Sequence, residues 1–384
     1  MLRALYLAMT ILVLPLGRAS ADARPDLGAN AALKYWQALA TLPKFTNAEQ
    51  KKLGESLTRP LDAQARELVT KAEYALRMMH RGAALPRCDW GLPPEEGLYV
   101  RLPHVDGARV LSSLACLRAR MRFEEGHSAE AVDDIVAALT LGRHTSRDAV
   151  LIMTLAGYAI ERPLSETLAR YLPKLNDEML KDLKRRLEAL PPGGTPATGM
   201  RYEEKFWLDW FVRSVKEAKD KESLLALLAL ASLDSEGKGR DPQENARAFL
   251  KECGGTADGV LKCAEETRSC YARVTKKLEL PLNQFEKEFE REARKQAGNP
   301  VFQVFFPAIV NVRRAQARAD VRRALLSAAL AVQLDGRDAL KKHPDPVVGG
   351  PFAYVAFEGG FELRSKLKGN DDKPVSLTVG RRGN

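Results

Sequence analysis

The most unusual local chemistry in this 384-residue sequence is Cys88-Asp89-Trp90, a carboxylate beside an aromatic ring on an irregular segment between His80 and His104. On a loop, such a group either lines a cleft, where Asp89 can serve as a hydrolytic acid or a binding contact, or packs inward. In the second case Trp90 plugs a core and Asp89 caps a turn. A second constellation is Arg314, Arg318 and Arg322, repeated every four residues with Arg313 and Arg323 beside them. On a helix these guanidiniums form one stripe, suited to a phosphate or acidic polymer, or to acids on neighbouring helices. No aromatic is interleaved, so stacking on single-stranded nucleic acid is not expected, and no specific nucleic-acid partner is assigned.

Other candidates read more simply. Phe206, Trp207, Trp210 and Phe211 share helical spacing; exposed, they would stack on sugar rings, and buried, they form a packing ridge, which is the expected role. Glu161-Arg162 lies inside an apolar helical stretch and predicts a buried ion pair, with Arg162 or another arginine as partner. The five histidines, at 80, 104, 127, 144 and 343, never fall two to a helical turn. They read as scattered solvent-facing or capping side chains, and a zinc site would need tertiary folding to bring them to Cys88 or Asp89. Nucleophile elbow, zincin, phosphate-loop and dinucleotide-binding motifs do not occur. No resident metal or cofactor is expected.

The five cysteines stand at 88, 116, 253, 263 and 270. Cys263 and Cys270 lie two turns apart on one predicted helix, roughly 10 Å along its axis, too far to bridge. A Cys253–Cys263 disulfide would instead staple a helical hairpin across Gly254 to Gly259; Cys88 with Cys116 is a weaker pairing. The alternative is five reduced, buried thiols.

The first residues read as an export signal. Arg3 precedes an apolar run, Ala4 to Leu16, and Ala19-Ser20-Ala21 offers small residues for cleavage after Ala21, with Ala23 as the near alternative. The run is too short for roughly 30 Å of hydrocarbon, although an uncleaved anchor is the competing reading. No cysteine follows it and no twin arginine precedes it. The expectation is an exported, periplasmic or extracellular protein with no transmembrane segment after cleavage.

Composition fits a globular chain, 45% hydrophobic and 29% charged, rich in helix formers. The net charge of +10 suits attraction to anionic envelope polymers, or else an ordinary mixed surface, since acids are interleaved nearly everywhere. The length predicts two subdomains. Helical periodicity and caps predict helices over 30–42, from Asn47, 62–80, 105–123, 129–145, 148–171 and 176–190, with an irregular loop at 84–104. Residues 191–198 read as a linker. A second helical half, 199–343, follows, ending in a long helix over 301–334 kinked at Pro307. A β-type tail, 344–384, then alternates apolar residues around Gly359-Gly360. The spacing of Ala119, Gly126, Ala131 and Ala138 is that of a tetratricopeptide-like helix pair, without a second copy at fixed period. The fold class is therefore mainly α: antiparallel helix pairs in two helical halves with a small C-terminal sheet.

Several stretches resemble a group of exported proteins of unknown function abundant in planctomycete bacteria. They are Asn30-Ala31-Ala32 with Tyr35-Trp36, Arg81-Gly82-Ala83 with Cys88-Asp89-Trp90, Gly157 to Arg162, and the tail from Asp345-Pro346 to Phe352 with Gly359 to Leu363. This resemblance implies export and a helical body, and no activity. The tail is also similar to the C-terminal hairpin of type II secretion pseudopilins, where an acidic loop can hold calcium; the acids here are Asp371 and Asp372, flanked by Lys368 and Lys373. The function expected is that of an exported scaffold or binding protein of the cell envelope, its partner a protein or an anionic envelope polymer. The alternative is an envelope-acting hydrolase with a site near the 84–104 loop.

Overall fold

The computed structural model describes residues 29–147, 150–231, 241–306 and 308–382, so the expected leader and Pro307 lie outside the described residues. Among these, sixteen α-helices precede one small sheet. The first eight are α1 (Ala31–Ala40), α2 (Asn47–Ser56), α3 (Ala63–Lys71), α4 (Glu73–Ala83), α5 (Pro103–Glu125), α6 (Ser128–Ser146), α7 (Leu151–Tyr171) and α8 (Asp177–Glu188). They are followed by α9 (Pro196–Glu203), α10 (Asp209–Glu217), α11 (Lys221–Ala231), α12 (Pro242–Glu252), α13 (Ala257–Lys277), α14 (Leu282–Lys295), α15 (Pro300–Phe305) and α16 (Ile309–Asp335). The chain is thus mainly α with a C-terminal antiparallel sheet.

Local chemistry sets many helix starts. Asn30, Asp62, Asn176, Thr195, Asp241, Thr256 and Asn299 each accept a hydrogen bond from an otherwise orphaned N–H of the turn that follows. The second helix is capped by Thr46 rather than Asn47, because Thr46 and Glu49 form a reciprocal capping box. The helix expected over 62–80 breaks at Ala72, a buried residue at which packing, with no Pro or Gly signal, separates α3 from α4. The single helix expected over 301–334 is likewise two, α15 and α16.

Antiparallel packing appears where small residues permit it. Gly126 ends α5 in the left-handed region (φ 89°), letting the chain reverse directly into α6. The α6–α7 contact is closer still: a Cβ on Gly157 would sit 2.6 Å from Ser146 Cβ and 2.9 Å from the Gly142 carbonyl oxygen.

Apolar contacts divide the molecule differently from the boundary expected at 191–198. One core joins α1 to α8 with Val321 to Val332 of α16 and with Phe361, Leu363, Val375, Leu377 and Val379 of the tail. The other runs from Met200 to Val312 and so includes the start of α16. At 27 residues, α16 is about 40 Å long, enough to pass from one core into the other. The segment expected as a linker is a packed connector: Gly194 N–H donates to Ser146 Oγ (3.0 Å), and Tyr158 Oη donates to the Gly194 carbonyl (3.2 Å).

The sheet consists of β1 (Ala353–Phe357), β2 (Gly360–Lys368) and β3 (Pro374–Gly380), in that spatial order and antiparallel. Phe361 pairs with Val379 and Leu363 with Leu377, which places the apolar residues of β2 and β3 on the face toward the helices. The buried Asp345 carboxylate ties the tail down by accepting from the Val347 and Val348 N–H groups and from the Ser365 hydroxyl. Among the described residues no helix is long and apolar enough to cross a membrane.

Candidate functional site

The loop that carries Asp89 and Trp90 is pinned to the start of α1. Asn30 Oδ1 accepts from Ala32 N–H and from Asp89 N–H, its Nδ2 donates to the Asp89 carbonyl, and Ala31 N–H donates to the Arg87 carbonyl. Trp90 is 8% exposed. Its Nε1 donates to the His144 carbonyl (3.0 Å), its ring stacks on His104 at 4.4 Å, and Trp36 meets it edge-on at 5.6 Å. Trp90 is therefore chiefly a core plug, as one sequence reading had it. Asp89 is exposed, and its carboxylate accepts from Gly91 N–H in a local turn.

Both residues also border an open pocket of about 370 Å³, with Arg87, Arg147, Lys205, Tyr202 and Phe206 across from them. The acid–base pair that hydrolysis requires is not assembled on this lining. Asp89 is its only carboxylate among the described residues, and burial, then the Asp89 charge, pushes the Cys88 thiol up to about 12.

The arginine stripe divides into two kinds. Arg314 pairs with Glu286 (2.7 Å), Arg313 donates to the Leu280 carbonyl, and Arg323 bridges Asp320 and Glu161. Arg318 and Arg322 are half-buried and have no ion pair or hydrogen bond among the described residues. Arg322 opens into a groove of about 1150 Å³ between α5, α7, α16, the 58–61 loop and the β3 edge. Eight arginines and lysines face three carboxylates there. Arg162, Glu166 and Arg170 lie one turn apart along α7 and share the groove face. Arg162 is occupied by Glu166 (2.9 Å), whereas Arg170 and Lys373 are without side-chain partners among the described residues. Burial, and then the Arg162 charge, lower the pKa of the Arg322 guanidinium, so an incoming anion would relieve an unfavourable environment. The groove wall is held by Arg120, 2% exposed, which donates to the Ser56 and Arg59 carbonyls just past α2.

The aromatic ridge is core, split by a single π-helical turn at Glu204–Leu208. The turn shifts the helical register, so Phe206 enters the first core while Trp210 and Phe211 enter the second. Glu161 is buried and paired with Arg143 (2.9 Å) and Arg323 (3.3 Å), while its neighbour Arg162 points outward.

Expectations for the histidines need correction. His104 and His144 are buried, at 0% and 1% exposure, because they pack in the Trp90 cluster, and burial lowers each to about 4. Both ring nitrogens of His104 are without partners, while His144 Nδ1 meets Tyr35 Oη at 2.9 Å. His80 is drawn to the buried Asp134 (2.7 Å).

All five cysteines are free thiols, and burial, then the neighbouring Cys263 thiol, pushes the Cys253 thiol up. In the tail loop Asp372 pairs with Lys368 and Asp371 accepts from Lys373 N–H, so both acids are already engaged. Among the described residues no group of three or more His, Cys, Asp or Glu side chains converges to hold a metal.

Glu203 is one group that sequence reasoning missed. Its carboxylate accepts from Leu151 N–H (2.8 Å) and caps α7, whose N-cap residue Val150 has no side-chain acceptor. Burial pushes this carboxyl up to about 7. The sequence places this helix start at Asp148, so neither the open start at Val150 nor the distant side chain that caps it was legible there. Comparison with protein-family models, with curated proteins and with solved structures gives no match to this chain.

Proposed function

We propose that this chain is a non-enzymatic, exported binding protein of the cell envelope whose basic groove takes a segment of an anionic polymer. The observation that carries this reading is the pair Arg170 and Arg322, half-buried in one groove and without an ion-paired or hydrogen-bonded acid among the described residues. Other exposed arginines, Arg162, Arg314 and Arg381, are matched by nearby acids. Unmatched guanidiniums in a groove provide charge-assisted, bidentate contacts to carboxylate, sulfate or phosphate groups. At about 1150 Å³ and with eight cationic side chains, the groove suits a chain of charges better than a single small anion. The N-terminal apolar run and the overall charge of +10 support an envelope address.

Retention of the full chain on immobilised heparin, eluted with a salt gradient, tests the groove. The Arg170→Gln, Arg322→Gln, Lys373→Gln triple variant elutes at clearly lower salt than wild type, with a shallower salt dependence by about two to three counter-ions. Arg314→Gln, which removes an arginine already paired with Glu286, shifts elution far less. Identical elution of wild type and triple variant overturns the proposal. Intact-mass measurement of protein recovered from envelope fractions tests the address, with a chain beginning at Asp22 as the expected product.

A further inference from the structure

We infer that the pocket beside Trp90 is a second, independent binding site, for a small organic molecule with an apolar body and one oxyanion head group, a carboxylate or a phosphate monoester. At about 370 Å³ it lies at the small end of ligand sites, and it shares no lining residue with the basic groove. Its charged lining is mostly cationic: Arg87, Arg147 and Lys205 against Asp89, the one carboxylate among the described residues there. Arg87 and Lys205 are exposed and have no side-chain hydrogen bond or ion pair among the described residues, whereas Asp89 is committed to Gly91 N–H. Cationic donors in a lining with one occupied acid favour an oxyanion over a cation or a neutral polar group.

The rest of the lining is apolar. Trp90, Leu92, Pro94 and Phe206 line it together with Cys88 and the Tyr202 ring. A ligand that is charged throughout would leave these surfaces without partners, and an uncharged one would leave Arg87 and Lys205 without a counter-ion. An amphiphilic anion satisfies both.

The site is also built in advance. Asn30 fixes the backbone of Asp89, the Trp90 indole is bonded to the His144 carbonyl and stacked on His104, and Phe206 is anchored by the π-helical turn. Rigid walls of this kind reduce the ordering cost of binding.

Isothermal titration of the full chain with phenyl phosphate, benzoate and the neutral analogue benzyl alcohol tests the inference. Binding of either anion, with benzyl alcohol at least about tenfold weaker, supports it, and the tighter anion assigns the head group. The Arg87→Gln, Lys205→Gln double variant replaces exposed side chains and keeps the wild-type melting temperature, yet weakens anion binding about tenfold or more. Arg322→Gln, in the other groove, leaves it unchanged. Equal affinity for the neutral analogue, wild-type affinity in the double variant, or no heat with either anion would each overturn it.

Discussion

Asn30 and Asp89, fifty-nine residues apart, hold one another through a two-way hydrogen bond: Asn30 Oδ1 accepts from Asp89 N–H at 2.9 Å and Asn30 Nδ2 donates to the Asp89 carbonyl at 2.9 Å. The same Oδ1 caps α1 at Ala32, so one amide fixes a helix start and the loop that frames the pocket. Asn30→Ala removes all three contacts and is expected to cost about 2 kcal/mol in urea denaturation, with faster amide exchange at Asp89. Asp89→Ala leaves the pairing intact, because the pairing uses only the Asp89 backbone. Equal destabilisation by the two substitutions would contradict this assignment.

Asp134 is fully buried and receives His80 (2.7 Å), Arg118 and Arg122 (2.8 Å). Burial pushes its carboxyl up, but the hydrogen bonds from His80 and Arg118 outweigh it and hold the group below the usual carboxylate range. Asp134→Ala leaves Arg118, itself 6% exposed, with Glu73 as its remaining acid partner (2.8 Å), and should lower stability by about 3 kcal/mol. A loss within half a kilocalorie of zero would show that the network is dispensable.

Acid and base act on different parts of the interior. Unfolded imidazoles protonate near 6.5, but folded His104 and His144 do so near 4, so between these values the unfolded state binds more protons. Stability is therefore lost as pH falls from 6.5 toward 4, at roughly 1.4 kcal/mol per pH unit for each imidazole. His104→Phe keeps the stacking on Trp90 and should flatten the acid limb of melting temperature against pH. Glu203 has the opposite sign: it ionises near 4.5 unfolded and near 7 folded, so its contribution falls as pH rises through that interval. Glu203→Gln, which still accepts from Leu151 N–H, should raise the melting temperature by a few degrees above pH 7 and leave it unchanged below 4.5. An unaltered alkaline limb would count against a buried carboxyl there.

Cys253 closes α12 and Cys263 lies in the second turn of α13, and the influence of the Cys263 thiol on Cys253 marks them as neighbours across the Gly254-Gly255 turn. Exchange with a small disulfide such as oxidised glutathione should join these two, with the chain losing the mass of two hydrogens. The buried Cys116 and Cys270 should be alkylated only after unfolding. The closed loop is short, so the bridge should add about 2–3 kcal/mol, read as a lower melting temperature on reduction. Peptide mapping that finds Cys253 and Cys263 both alkylated after such treatment would reject the pairing.

The sequence by itself determined the elements. Helical periodicity, the caps at Asp62, Asn176 and Thr256, Gly126 at the α5–α6 reversal and the alternation around Gly359 are local signals, set by interactions within one or two turns. It also picked out Asp89, Trp90 and the arginine stripe as unusual, since residue type and spacing are visible without a fold. Tertiary structure decided what each of them does. Only packing could bury His104 against Trp90, bring Glu203 to the open start of α7, and give Arg314 but not Arg322 an acid partner. Only the passage of α16 between two cores could place Arg322 in one groove with Arg170 and the edge of β3. Burial and charge pairing join residues far apart in the chain, and their energies depend on distances that no local pattern encodes.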